Sequence, residues 1–404
     1  MKNFERSLLP ENAISHLDEK KYNLTVNLIR FDCEYPIYKC YLTDNINQHV
    51  YIGGGGGLGA ESKASAIFEA AQHYFSTHAT QINKRTIHFS SIAKMPPLDY
   101  LLQHEFLPKN LMNFPDQELP WLQYESYTDA QLIHYPLVLT EVRLQHLPEL
   151  SAYMNFNWMS HDTGMAIGCD FLEASIHGIN EWIEQDAYGL LLLKLFIKQP
   201  NEKIHLVNHT TIPENLYRIV KYIEQTFAEE LLIVDMTSDI NVPAFVVSFT
   251  KQKKKFQPIG MGASLSRAYA LERAIFEALQ SHILYNEKTK KSQLDIANAL
   301  KKTPLLLSAA KCDLAALIAN GEIIPIDFTH IADYAHIVDL STQLNKLHEL
   351  LSRQGFKAFY HCYYQVKNRI SCLGIIIPGL DQFFLVRGGK LIMPKSRGLG
   401  VLQN

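Results

Sequence analysis

No stretch of this 404-residue chain stays apolar long enough to cross a bilayer. The richest run, 189–197, is interrupted by Lys194 and reads as the buried end of a helix. The first twenty residues are polar and acidic and lack the hydrophobic region of a secretion signal, so a cytoplasmic location is expected. A charge excess is also missing. The formal net charge of −3 gives no reason to expect a nucleic-acid partner. The basic run Lys251-Gln-Lys-Lys-Lys255 lies between a strand-like stretch and a glycine pair and reads as a solvated loop. None of the six cysteines (Cys33, Cys40, Cys169, Cys312, Cys362 and Cys372) stands in a Cys-x-x-Cys pair, and no histidine near them has zinc-site spacing. Free thiols in a reducing compartment are the simplest reading. There is no low-complexity segment and no clean linker, so one large domain is expected.

What is present is an ordinary globular composition, 47% hydrophobic and 20% charged. Strand-like patterns fall at 22–31, 36–43, 134–142, 231–234, 244–250, 322–328, 356–366 and 369–377. Amphipathic helices fall at 212–228, 306–319 and 338–354. Residues 85–130, with Pro96, Pro97, Pro108, Pro115 and Pro120, read as a loop-rich excursion. Alternating strands and helices, with several strands in antiparallel-compatible pairs, indicate the α/β class: mixed, largely antiparallel sheets packed with helices.

One feature stands above these patterns. The pentapeptide Ala-Ile-Phe-Glu-Ala occurs at 66–70 and again at 274–278, each time with a glutamine three residues after its glutamate (Gln72, Gln280). Glycines precede both copies: Gly53 to Gly57 and Gly59 before the first, Gly260 and Gly262 before the second. A looser relative lies between them, Gly164-Met-Ala-Ile-Gly168, then Glu173-Ala174, then Glu181-Trp-Ile-Glu184. Residues i and i+3 share a helix face, so Glu181 and Glu184 can share a cation. Glycine-bearing turns ahead of helices suit phosphate. Magnesium is usually held by a few carboxylates shared with substrate phosphates. Three such units in one domain point to a nucleotide site. The bland alternative for each unit is an amphipathic helix packed on a sheet, with stripes such as Ala64, Ile67, Phe68, Ala71 and Tyr74.

In this order the motifs resemble the YcaO family. They are Ser65-Ala-Ile-Phe-Glu69, Ala166-Ile-Gly168…Glu173-Ala174…Glu181-Trp-Ile-Glu184, Gly262-Ala-Ser264…Arg273-Ala-Ile-Phe-Glu277-Ala-Leu-Gln280, and Pro378-Gly-Leu380. The resemblance covers about 50–390. It implies a YcaO-like domain there, between an N-terminal segment 1–49 with a strand pair and a tail 391–404. The family uses ATP to activate a peptide-bond oxygen, which leaves as phosphate. Azoline-forming members cyclodehydrate Cys, Ser or Thr of a ribosomally made peptide, and others install thioamides or amidines. The resemblance therefore implies ATP and Mg²⁺ as cofactors and a precursor peptide as substrate. A separate leader-peptide-binding partner is expected, and family members often form homodimers. By the same resemblance Glu69, Glu181, Glu184 and Glu277 would hold metal and Arg273 would meet phosphate. Ser65, Gln72 and Gln280 would contact nucleotide, and Ser264 phosphate or nucleotide from its turn. His73 stands where the family has an arginine and would meet phosphate. No residue is singled out as catalytic, and His177, His282 and His361 read as structural or surface residues.

The chain also departs from the pattern. The family's first and second site helices usually read Glu-x-x-Glu-Arg; here they read Glu69-Ala-Ala-Gln72-His73 and Glu181-Trp-Ile-Glu184-Gln185. A lysine common in the first glycine turn is replaced by glycine near Gly55. The tail carries one proline, Pro394, where azoline-forming members have a proline-rich end. Each lost charged contact would cost about 1.5–3 kcal/mol if the family geometry is kept. These departures keep two alternatives open: a non-catalytic relative that binds a peptide or a catalytic partner as a scaffold, and a different ATP-using enzyme such as an amide-bond ligase.

Overall fold

The structure is a computed structural model that describes residues 4–17, 19–83, 85–88, 118–140, 160–198, 202–250, 256–320 and 323–403. Its strands are β1 (Leu24–Phe31), β2 (Ile37–Asp44), β3 (Val50–Gly55), β4 (Arg85–His88), β5 (Glu118–Ser126), β6 (Leu132–Pro136) and β7 (Met165–Gly168). They continue as β8 (Ile204–Val207), β9 (Leu231–Asp235), β10 (Ala244–Phe249), β11 (Ile259–Ala263), β12 (Ile323–Ile326), β13 (Phe359–Val366) and β14 (Ile370–Ile376). The first sheet is the meander β1-β2-β3. The second runs β11-β10-β9-β8-β12. The third runs β4-β5-β13-β14-β7, with β6 also paired to β5. Every pairing is antiparallel except β12 with β8. The expected mixed, largely antiparallel α/β fold is what the chain forms.

Local sequence explains the layering. In β1 the residues Leu24, Val26 and Leu28 face inward while Thr25, Asn27 and Ile29 face solvent. β10 (Ala-Phe-Val-Val-Ser-Phe) and β14 (Ile-Ser-Cys-Leu-Gly-Ile-Ile) are buried along their whole length and read as continuous apolar runs. Helices Ala60–Asn83 and Phe171–Leu192 pack on β14 and build the larger core, with Trp182 wholly buried and its Nε1 donating to Ile375 O at 2.6 Å. Helices Glu214–Phe227 and Arg267–Ile283 build a second core on the other face of the second sheet. The N-terminal segment is woven into the same body, because β2 pairs with β3. The end of the chain forms helix Ser396–Gln403. Arg397 pins it to the buried Asp186 (2.9 Å) and to Asp239, while Asp381 accepts the backbone N–H groups of Lys395 and Gly398.

Some local expectations change. The strand expected over 134–142 stops at Pro136, and 137–140 turn helical. The helix expected over 306–319 is two helices, Pro304–Lys311 and Leu314–Asn320, separated where Cys312 takes a left-handed φ of +50°. The ends of the excursion expected over 85–130 are strands: β4 pairs with β5, with Thr86 opposite Pro120. Its prolines at 96, 97, 108 and 115, and the Lys251–Lys255 run, lie outside the described residues. None of the cysteines forms a disulfide. No helix among the described residues is long and apolar enough to cross a membrane.

Candidate functional site

The glycines do not sit mainly in turns, as expected, but in strands. Gly53, Gly54 and Gly55 belong to β3, Gly260 and Gly262 to β11, and Gly168 to β7, and each of these strands ends the path of its sheet. Of the glycines flanking these units, Gly56, Gly57, Gly59 and Gly164 (φ +83°) lie in turns or loops. A Cβ on Gly53 would lie 2.3 Å from Ala66 O and 2.5 Å from Ala70 N. A Cβ on Gly260 would lie 2.2 Å from Ala274 O and 2.0 Å from Ala278 N. Strand backbone thus rests on helix backbone, and the two alanines that bracket each Ala-Ile-Phe-Glu-Ala copy are the small residues that let it. This contact explains the repeat.

The same contact fixes the glutamate between the alanines. Glu69 Oε2 accepts from Gly54 N at 2.8 Å, and Glu277 Oε2 accepts from Met261 N at 2.8 Å. In the looser third unit Glu181 Oε2 accepts from Gly164 N at 3.1 Å. The second and third helices each carry a side-chain cap at the N-terminus. Asp170 caps helix Phe171–Leu192 by accepting from Glu173 N, and Ser266 caps helix Arg267–Ile283 by accepting from Tyr269 N.

The three units meet at a cavity of about 440 Å³, within the usual range for small-molecule sites. Ser65, Glu69, Gln72, His73, Glu181, Glu184, Arg273, Glu277 and Gln280 all line it. Ser264 does not; it is fully buried behind the wall, where its hydroxyl donates to Glu5. The cavity also holds residues outside the expected set: Arg6, Glu61, Asp162, Glu173, His177 and Tyr269. His177, expected to be structural or on the surface, accepts from Arg273 Nη1 at 3.1 Å. Arg6 enters from the N-terminal arm, which Glu173 holds by accepting from Ser7 N (2.9 Å), Ser7 Oγ (2.6 Å) and Arg6 (3.4 Å). Glu173 sits eight residues before Glu181 in the quoted motif, so its position was legible. Arg6 and Asp162 had no local signal.

Charge in the cavity is unbalanced. Burial, then Asp162 and Glu184, push the Glu181 carboxyl well above its usual range. Burial, then Glu277, push Glu184 up to about 8, and burial raises Glu277 as well. Burial alone would lower Arg273, but Glu184, Tyr269 and Glu5 outweigh it and hold the guanidinium more firmly charged. Glu184 Oε2 is buried without a hydrogen-bond partner. Among the described residues no three acids, histidines or cysteines converge at metal-ligand distance. A cation shared between a few of these carboxylates and an anionic ligand fits that arrangement, as Mg²⁺ with nucleotide phosphates does.

A protein-family model described as YcaO cyclodehydratase, ATP- and Mg²⁺-binding, matches residues 53–381. The chain belongs to the YcaO family. The cofactors the family is described by are thus those expected of this chain, ATP and Mg²⁺. The fold is shared with solved structures of low sequence identity. One is a heterocyclase in complex with substrate and cofactor, 17% identical with a TM-score of 0.63 over 94% of this chain. This chain spans only 54% of that heterocyclase. Another is YcaO from Methanopyrus kandleri bound with AMPPCP and Mg²⁺, 16% identical, TM-score 0.63, covering 98% of both chains. A third comes from the E. coli microcin synthetase McbBCD complex, 15% identical, TM-score 0.59, covering 89% of this chain and 88% of that one. No curated protein matches in sequence.

Proposed function

We propose that this chain binds Mg²⁺–ATP in the three-unit cavity and uses it to activate backbone amides of a ribosomally made peptide, in the first instance by cyclodehydrating Cys, Ser or Thr to azolines. The observation that carries the proposal is the convergence of Glu69, Glu181, Glu184 and Glu277 with Arg273 on one cavity. Glu69 and Glu277 each have one oxygen held by a strand N–H, and Glu181 has one held by the N–H of the Gly164 turn, so the carboxylates are fixed in place at the cavity wall. ATP would supply the phosphoryl group that turns an amide oxygen into a good leaving group. The protein's task is then placement and charge neutralisation. Glu69, Glu181, Glu184 and Glu277 would hold Mg²⁺, and Arg273 the phosphates. Ser65, Gln72, His73 and Gln280 would contact the nucleotide. Ser264 would act only indirectly, through Glu5. Arg6 brings in a cation that the altered helix motifs lack. Thioamidation at the same site needs a sulfur donor and is the second chemistry. Substrate and partner proteins are part of the heterocyclase and microcin synthetase structures. By analogy we assign this chain a precursor peptide and a leader-binding partner.

A scaffold role is the competing reading, and one observation favours it: Gln72, His73 and Gln185 line the cavity at positions where the family carries charge. The test is the melting temperature with and without Mg²⁺–ATP, beside Glu181→Ala. A ligand that binds only the folded state raises it. A Mg²⁺-dependent rise that the variant loses supports the nucleotide site. No rise at millimolar ATP puts the scaffold ahead.

A further inference from the structure

Arg273 shares the cavity wall with seven carboxylates (Glu61, Glu69, Asp162, Glu173, Glu181, Glu184 and Glu277), yet the only hydrogen-bond partner of its side chain among the described residues is the His177 imidazole. The two residues hold matching places on facing helices. His177 lies one turn before Glu181 on helix Phe171–Leu192, and Arg273 one turn before Glu277 on helix Arg267–Ile283. Burial, and then the cations Arg273 and Arg6, hold the imidazole well below its usual pKa, so it is neutral. Since a guanidinium only donates, Nδ1 must be the acceptor and the ring proton sits on Nε2.

We propose that His177 is a positioning residue of the nucleotide site: a neutral acceptor that aims the Arg273 guanidinium without cancelling its charge. A carboxylate in its place would form a charge-assisted, bidentate pair of roughly twice the strength, and an incoming phosphate would have to compete with it. An imidazole fixes one of the five N–H groups and leaves the positive charge and the other donors to the ligand. The inference rests on the reading that Arg273 meets phosphate.

The test uses isothermal titration with AMPPCP plus Mg²⁺ and melting of the ligand-free protein, on the full chain and its variants. Arg273→Gln sets the scale of the arginine's own contribution. His177→Ala is expected to weaken binding about tenfold. His177→Asn, which keeps an acceptor, is expected to recover most of that loss. His177→Asp is the discriminating variant. It should melt no lower than His177→Ala, because it pairs with Arg273, yet bind the nucleotide more weakly still. The neutral pair, His177→Ala and His177→Asn, guards against simple repulsion by the new carboxylate: a histidine that serves packing alone would give Ala and Asn variants that bind alike. Arg273→Gln losing affinity while all three His177 variants bind like wild type overturns the inference and leaves the site assignment standing. Arg273→Gln binding like wild type overturns the role of Arg273 and the inference with it. Absence of Mg²⁺-dependent binding by the wild type overturns the proposed function as a whole.

Discussion

Replacing Glu184 by Gln should make the ligand-free protein more stable and the liganded one less so, with the size of the effect set by pH. The folded state raises the Glu184 carboxyl from the ordinary 4.5 to about 8, through burial and then Glu277. A raised folded-state pKa means the folded form holds its proton more tightly than the unfolded chain does. Its contribution is fully present below pH 4.5 and is lost as pH rises through 8. At pH 7 the unfolded chain is already ionised over 2.5 units that the folded one is not, and each unit is worth about 1.36 kcal/mol. That amounts to a loss of about 3 kcal/mol at pH 7, shared with the neighbouring Glu277. Glutamine carries no such charge. Denaturant melts from pH 5 to 8 should show the wild type losing stability more steeply than Glu184→Gln, which keeps the slope of the other raised carboxyls, the curves separating by up to about 3 kcal/mol. Mg²⁺–ATP should restore the wild type at pH 8 and do little for the variant. Parallel curves for the two proteins across that range would refute the reasoning.

Gly260→Ala drives a methyl group into Ala274 O and Ala278 N, both within 2.2 Å of the new Cβ. It should cost ~3 kcal/mol or more in urea unfolding, whereas Gly400→Ala, inside helix Ser396–Gln403 with nothing within 4 Å, should cost nothing and gain up to about 1 kcal/mol of helix propensity. Arg397→Ala strips the fully buried Asp186 of its ion-pair partner and should cost about 3–5 kcal/mol by denaturation. Adding Asp186→Asn should recover part of that loss, and additive losses would argue against a coupled pair. Glu173→Gln weakens the charged bonds to Ser7 and Arg6 by about 1.5–3 kcal/mol in total. Trypsin should then cut faster after Arg6, and an unchanged rate would show that the arm is held by something else.

Much of this was legible in the sequence, because the features concerned are local. The repeated pentapeptide places Glu69 and Glu277 identically. The i, i+3 spacing puts Glu181 and Glu184 on one helix face. Alternation marks β1 and β2, and apolar runs mark β9, β10 and β14. The reason for the glycines was misread because a run of glycine ahead of a helix looks the same whether it turns around an anion or lets two backbones touch. Only the alanines at both ends of each copy distinguish the cases, and their meaning depends on a strand packing across them. Ser264 failed for a related reason. It follows β11 as expected, but its hydroxyl turns to the buried Glu5, about 260 residues away in sequence.

The cations are the instructive case. Motif by motif the chain has lost positive charge, since Gln72-His73 and Gln185 stand where Glu-Arg and Arg would. That local count argues for an emptied site. Arg6, carried in by an arm that Glu173 holds, adds a cation to the same cavity from outside every motif. His177 leaves the charge of Arg273 unspent. Electrostatics acts on distance in space and is indifferent to position in the chain. The competence of the site must therefore be judged from the whole cavity. There, carboxylates raised by burial and mutual repulsion still call for a cation, and two guanidinium groups stand beside them to meet the anion that would bring it.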